Sequence, residues 1–449
     1  MIKNQEVVLE IVDMTFDGYG VGKADGLAVF VPLTAVGDKV KVKILKVKKA
    51  FCYGKVMEIL EPSSDRIEPD CEVFSRCGGC VYRHIDYKGE TKIKLNKVSS
   101  AMQRIGKAKF PAKEILSAQK TERYRNKAQY PVSTDGSAGF FATHSHRIIP
   151  CGDCALQPEV FKKITDACEE FIKENDISIY NEETNKGLLR HIYIRQATAV
   201  GSIMLTLIIN GDNLPNAEKL IEKVKKVCGE NLKSVQININ KKKTNVILGD
   251  SCKVLYGDET ITDILCGIKV RLSPLSFYQV NRDMAEVLYK KAAEYAEPQD
   301  KNILDLYCGA GTIGLSMAND AKSIIGVEIV PEAIKDAEFN AKANKIENAR
   351  FICGDAAAAA KQLAKEKITP DVVIVDPPRK GCDAELLKTV ANDFKPERVV
   401  YVSCDPATLA RDTAILEELG YKLQEYTAVD LFPRTSHVET VCLLSKKNS

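Results

Sequence analysis

From about Ser276 onward the chain alternates short apolar runs with helix-length segments, and this rhythm limits its possible folds more than any other feature. NILDLY, SIIGVEIV, ARFICGD, DVVIVDPP and RVVYVSC each read as a strand buried on both faces. Such strands separated by helices predict an α/β class with a doubly wound, Rossmann-like sheet that binds ligands at the carboxyl ends of its strands. At 449 residues the chain is too long for one core, and two or three domains are expected. A hydrophobic content of 45% suits a globular protein. No run reaches the length of a membrane span, and MIKNQEVVLE lacks the apolar stretch of a secretory leader, so a cytoplasmic protein is expected. The 15 cysteines are accordingly read as reduced.

Residues 1–60 read as short strands with glycine turns. Val40, Val42 and Ile44 alternate with Lys39, Lys41 and Lys43, the period of a strand with one buried face, and DGYGVGKADG supplies turn chemistry. A small five-strand barrel of the OB type fits this pattern. Seven lysines and no carboxylate lie between Lys39 and Lys55, with Phe51 and Tyr53 among them. Such a tract suits a phosphate backbone, and equally a solvated strand edge guarded by lysines. Net charge, +3 overall, does not choose between them.

Residues 61–275 form a mixed α+β middle region with a helix expected from about Lys92 to Ile105 and strands at HIYIRQ and SIMLTLIIN. Cys71, Cys77 and Cys80 are spaced C-x5-C-x2-C, and Gly78 and Gly79 let that loop fold tightly around one centre. A fourth thiolate would complete a site for zinc or an iron–sulfur cluster, and CGDC offers both Cys151 and Cys154. TERYRNKAQY mixes Arg123, Arg125 and Lys127 with Tyr124 and Tyr130, a composition suited to looped RNA or to a strand with one polar face.

Residues 276–449 carry the chemistry. Gly309, Gly311 and Gly314 in DLYCGAGTIGL have GxGxxG spacing, which also suits a nicotinamide cofactor. Asp305 shifts the balance, because a carboxylate there favours a cationic aminoacyl ligand. Glu328 is placed for ribose hydroxyls, and Asp355 for an adenine amino group. That order of acids looks like an S-adenosylmethionine site. Three motifs follow: DPPRKG from Asp376, SCDPATLARD from Ser403 and FPRTSHVET from Phe432. Carbon 5 of a pyrimidine is too weak a nucleophile to take a methyl group directly. A thiolate added at carbon 6 makes carbon 5 a carbanion, and a base must then remove the carbon-5 proton. Cys404 as nucleophile and Glu439 as base would supply that cycle, with His437 as the other candidate base and Cys308 as the other thiol. The helix start after Cys404 offers amide dipoles to a thiolate. Adenine methylases of this fold resemble one another in an aromatic ring after the two prolines and RNA cytosine methylases in a cysteine there, so Arg379 looks more like a uracil enzyme.

These motifs resemble the RNA 5-methyluridine (uracil-C5) methyltransferase family across nearly the whole chain, most closely the 23S ribosomal RNA members, and residues 1–60 are similar to a TRAM domain. The resemblance implies Gln279, Tyr307, Glu328 and Asp376 as cofactor contacts and Phe277 as a ring near the target base. It implies Cys154 as the fourth ligand, beside Cys71, Cys77 and Cys80, of a [4Fe-4S] cluster. It also implies a monomer acting on RNA, ribosomal rather than transfer RNA, since barrel and cysteine cluster go with the ribosomal members. Asp405 departs from the asparagine common in relatives.

Overall fold

The computed structural model describes residues 1–447. At the amino end, β1 (Glu6–Glu10), β2 (Asp13–Met14), β3 (Gly20–Ala24), β4 (Leu27–Val31), β5 (Lys39–Val47) and β6 (Phe51–Glu61) form one sheet in the order β1-β5-β6-β4-β3-β2. β2 continues β1 after a two-residue break, so the sheet closes on itself. The break falls where Ile11 turns to exchange backbone hydrogen bonds with Gly37 and Asp38, and it makes six strands where five were expected. Val40, Val42 and Ile44 point into this barrel with Leu9, Val29, Val31 and Cys52, as the alternation predicts.

The cysteine-bearing loops lead into α1 (Tyr87–Arg104), which starts earlier than expected because the Asp86 carboxylate caps it by accepting from Gly89 N at 2.6 Å. A two-residue strand, β7 (Ile115–Leu116), follows. The middle sheet runs β14-β13-β12-β11-β8. Its strands are β8 (Lys127–Pro131), β11 (Leu189–Ala197), β12 (Ser202–Ile209), β13 (Leu232–Ile239) and β14 (Ser251–Gly257); β9 (Gly139–Phe141) and β10 (Ile148–Pro150) form a side hairpin. α2 (Glu159–Glu174) and α3 (Ala217–Cys228) bury Phe161, Ile164, Leu220 and Val224 against its Ile192, Leu205 and Ile237.

A hairpin, β15 (Ile261–Leu265) and β16 (Ile268–Leu272), leads to α4 (Arg282–Ala296) and the expected alternation. This comprises β17 (Asn302–Leu306), α5 (Thr312–Ser316), β18 (Ser323–Glu328), α6 (Pro331–Ala343), β19 (Ala349–Cys353), α7 (Ala356–Lys365), β20 (Val372–Val375), α8 (Ala384–Lys388), β21 (Arg398–Ser403), α9 (Pro406–Glu418), β22 (Tyr421–Val429) and β23 (Glu439–Lys446). The sheet order is β19-β18-β17-β20-β21-β23-β22-β7. Its first five strands are parallel, and β23 inserts antiparallel between β21 and β22. The order reverses at β17 and β20, which opens a crevice at their carboxyl ends. Because β7 pairs with β22 and α1 packs on α9, the segment from Tyr87 to Leu116 belongs physically to this layer and not to the middle region. None of the described helices is long and apolar enough to cross a membrane.

Candidate active site

The crevice is built by the loop after β17. Tyr307 (φ 66°), Gly309 (φ 55°) and Gly311 (φ 77°) all take left-handed backbone there, which brings the chain over the sheet edge before α5 begins. Asp305 is buried; one oxygen accepts from Gly314 N at 3.0 Å, while the other is buried without a partner. Burial raises its carboxyl to about 7 despite the Gly314 bond. Glu328, ending β18, accepts from Gly309 N at 3.2 Å and from Val330 N at 2.9 Å, so the second acid holds the glycine loop. Asp376 follows β20 on the other side of the switch point, and burial raises it to about 7. An orphaned, buried carboxylate oxygen beside a glycine cradle fits a cationic ligand such as the sulfonium cofactor.

Asp355 uses an oxygen to cap α7, accepting from Ala357 N and Ala358 N at 3.1 and 3.0 Å. The cap of α4 is Asn281, which leaves the Gln279 amide out of that role, while Gln279's own carbonyl accepts from Asn126 at 2.9 Å. Phe277 is 71% exposed, so it is no core ring. Cys308 is a buried packing thiol, its sulfur close against Gly326.

Cys404 ends β21 and Glu439 begins β23, and the register pairs Ser403 with Thr440. The thiol and the carboxylate therefore meet across two adjacent strands at the mouth of the crevice. Burial first, then the Glu439 and Asp376 carboxylates, push the Cys404 thiol up to about 11, against the pull of Arg379. The expected thiolate stabilisation by α9 does not win, because Asp405 already takes the first free amides, Ala407 N at 2.8 Å and Thr408 N at 3.1 Å. Asp405 thus caps as an asparagine would. Glu439 is buried and raised to about 8, by desolvation and then Asp376. His437 goes the other way: burial and the cations Arg379, Lys97, Lys94 and Arg125 lower it to about 4, which makes it a poor base at neutral pH.

The stretch from Leu431 to Ser436 leads to this pair, and its backbone is held from four directions. Asn281 donates to Leu431 O at 3.0 Å, Lys94 to Phe432 O at 3.0 Å, Tyr124 to Pro433 O at 2.9 Å and Lys97 to Ser436 O at 2.7 Å. Val81 N and Tyr82 N, just past Cys80, donate to Arg434 O at 2.7 and 3.1 Å. Under the loop, Lys94 binds Glu90 and Asp430, both at 2.7 Å, with all three side chains fully buried. Glu90 also accepts from Arg434 N at 2.7 Å, and Tyr87 donates to Asp430 at 2.9 Å. Sequence reading missed this clamp. Its one local signal was a Glu90–Lys94 pair at i,i+4 spacing on a helix.

The tract from Arg123 to Tyr130 needs a correction as an aromatic RNA surface. Tyr124 and Tyr130 are buried, Tyr130 packing on Phe140. Arg123 is tied to Asp153 by two bonds, at 2.6 and 2.7 Å, and donates to Cys154 O and Gln157 O. Only Arg125 and Lys127 are left on the opposite face of the strand, Lys127 lowered to about 8 by burial and by Arg195. The cysteines do come together. Cys71 and Cys154 both act electrostatically on Cys77, and Cys80 feels Cys154 and Cys77. Cys151 lies against Cys154, and the two thiols titrate together, which favours one thiolate in the pair. Among the described residues, however, no three or more His, Cys, Asp or Glu side chains are gathered closely enough to hold a metal ion.

A Rossmann-like sheet with this acid–glycine–acid crevice and a cysteine–glutamate pair at its mouth defines the class: an S-adenosylmethionine-dependent RNA (uracil-C5) methyltransferase. Residues 86–447 match the tRNA (Uracil-5-)-methyltransferase family model, and the chain belongs to that family; residues 3–57 match the TRAM domain. The chain is 44% identical over 451 residues to an uncharacterized RNA methyltransferase of Halalkalibacterium halodurans, covering 99% of this chain and 98% of the other. It is 43% identical to one of Clostridium tetani, with 99% and 97% coverage. The crystal structure of Pyrococcus abyssi tRNA (uracil-54, C5)-methyltransferase in complex with S-adenosyl-L-homocysteine superposes with a TM-score of 0.79 at 27% identity, covering 98% of this chain and all of that one.

Proposed function

We propose that this enzyme methylates carbon 5 of a uridine in a folded transfer RNA through a covalent adduct between Cys404 Sγ and carbon 6. The observation that carries the mechanism is the strand register that sets Cys404 beside Glu439 at the mouth of the crevice. Attack forms the Sγ–C6 bond as the thiol proton passes to solvent and the C5–C6 π pair moves onto carbon 5. The carbon-5 carbanion then takes the methyl group, and S-adenosylhomocysteine departs. Glu439 removes the carbon-5 proton, the electron pair re-forms the C5–C6 double bond, and the Sγ–C6 bond breaks. Asp305, Glu328, Asp376, Tyr307 and Gln279 line the cofactor's side, and exposed Phe277 offers its face to the flipped base. The ribosomal acceptor expected from barrel and cysteine cluster gives way to transfer RNA as the favoured reading, supported by a relative named for transfer RNA that aligns with 98% of this chain.

The iron–sulfur reading rests on the donor set. Thiols from two loops adjoin, and Cys151 and Cys154 titrate as one coupled pair, so it is the family resemblance that favours Cys154 as the fourth ligand. A cluster held by Cys71, Cys77, Cys80 and Cys154 would brace Val81 and Tyr82 against Arg434 O.

The test is to methylate transfer RNA and ribosomal RNA side by side with labelled cofactor and map the product. Label at carbon 5 of a transfer-RNA uridine is expected, and ribosomal labelling alone would overturn the acceptor. RNA carrying 5-fluorouridine should trap a stable adduct with the native protein and none with Cys404→Ala.

A further inference from the structure

The lysine tract of the barrel divides into two ends. At one end Lys39 pairs with Glu61 at 2.6 Å and Lys41 with Glu6 at 2.7 Å. At the other, among the described residues, no carboxylate pairs with Lys43, Lys46, Lys48, Lys49 or Lys55. Register sets Lys43 directly opposite Lys55 and Lys46 opposite Tyr53. Glu6 faces Lys43 from the other side and answers part of its charge, which leaves Lys46, Lys48, Lys49 and Lys55 without an ion-pair partner among the described residues.

That same end carries a group of rings. Because Val29, Val31 and Cys52 point inward, Phe30, Phe51 and Tyr53 point outward, with centroids 5.3 to 5.8 Å apart. Tyr19 stands edge-on to Tyr53 at 6.4 Å, with Asp17 near it. None of the four rings is buried in the core. The loop bearing Tyr19 also reaches the active site. Lys97 Nζ lies 4.9 Å from the Phe16 ring, donates to Phe16 O at 3.2 Å, and donates to Ser436 O in the loop before Glu439.

We infer that Tyr19, Phe30, Phe51 and Tyr53 form a stacking platform for unpaired bases of the RNA flanking the target uridine, with Lys46, Lys48, Lys49 and Lys55 taking its phosphates. The inference rests on the RNA-methylation reading and adds to it the strandedness of the flank. Bases in a duplex are already stacked on one another and have no free face, whereas every single-stranded base has one. An acidic protein would satisfy the lysines and leave the rings unused.

The experiment uses the full chain and a fluorescent single-stranded oligouridylate, with a duplex of equal length as comparator. The single strand should bind more tightly. Tyr53→Leu and Phe51→Leu should each weaken it at least about fivefold, the lower end for one lost stack, without changing the slope of affinity against salt. Tyr53→Phe should bind as the native protein does. Lys46→Gln should instead make that slope shallower by about one, as loss of a phosphate contact requires. Binding of S-adenosylmethionine reports whether each variant is folded. Equal binding of duplex and single strand, or full affinity in both leucine variants, would overturn the platform. The methylase reading would survive that result, since it fails only if the native protein labels no uridine.

Discussion

Replacing Glu439 by glutamine should stabilise the protein, by an amount that grows with pH. The native carboxyl is buried and raised from the usual 4.5 to about 8. Below pH 4.5 it is protonated in both folded and unfolded chains and costs nothing. Between 4.5 and 8 the unfolded chain has released the proton while the folded one keeps it, so stability falls as pH rises. Each factor of ten in proton affinity is worth about 1.4 kcal/mol. The loss is therefore about 3 kcal/mol at pH 7 and roughly 5 kcal/mol at and above pH 8, a sizeable part of the 5–15 kcal/mol typical of a fold. Glutamine has the same shape and no proton to lose. Urea melts of both proteins run from about pH 4 to pH 8 should coincide at the acid end and diverge steadily above it. Parallel curves would refute the reasoning and mean that water reaches Glu439 in the folded state. The same burial keeps the resting carboxyl protonated at neutral pH, so it must lose that proton before it can act as the base.

Two further outcomes are expected. Lys94→Met should cost about 3–5 kcal/mol, the range for breaking a buried pair and leaving Glu90 and Asp430 without their cation, read as a lowered urea midpoint that Lys94→Arg partly restores. Protein isolated without oxygen should contain about four irons per chain, as a cubane with four thiolates requires, and Cys154→Ser should lower that content while Cys151→Ser keeps it; stoichiometric zinc would rule the cluster out.

Local patterns were legible wherever one residue's neighbours in sequence are also its neighbours in space. The inward face of β5, the strands of the α/β layer and the glycine turn after β17 all follow from period and turn chemistry. Cys404 and Glu439 were legible only through motif chemistry, and the register of β21 on β23 gives the reason they belong together. What could not be read was set by distant partners. Tyr124 looked like a surface ring until Pro433, 309 residues away, took its hydroxyl. The salt-bridge partner of Arg123 lies in the CGDC loop. The depressed affinity of Cys404 for losing its proton depends on two carboxylates from other strands.

The clamp beneath the catalytic loop has a consequence for how the enzyme comes into being. Lys94 and Asp430 are separated by 336 positions, and so they can meet only after nearly everything between them has folded. Contacts of such range form late, since the entropy of closing the loop is spent before they return anything. A nascent chain synthesised only as far as β22 has already made Cys404 and the cofactor crevice, yet it lacks the loop, the base and the central strand that separates β21 from β22. A chain that stops before Glu439 therefore lacks both the base and the strand that ties β22 to the sheet, and the site is complete only once β23 has been made.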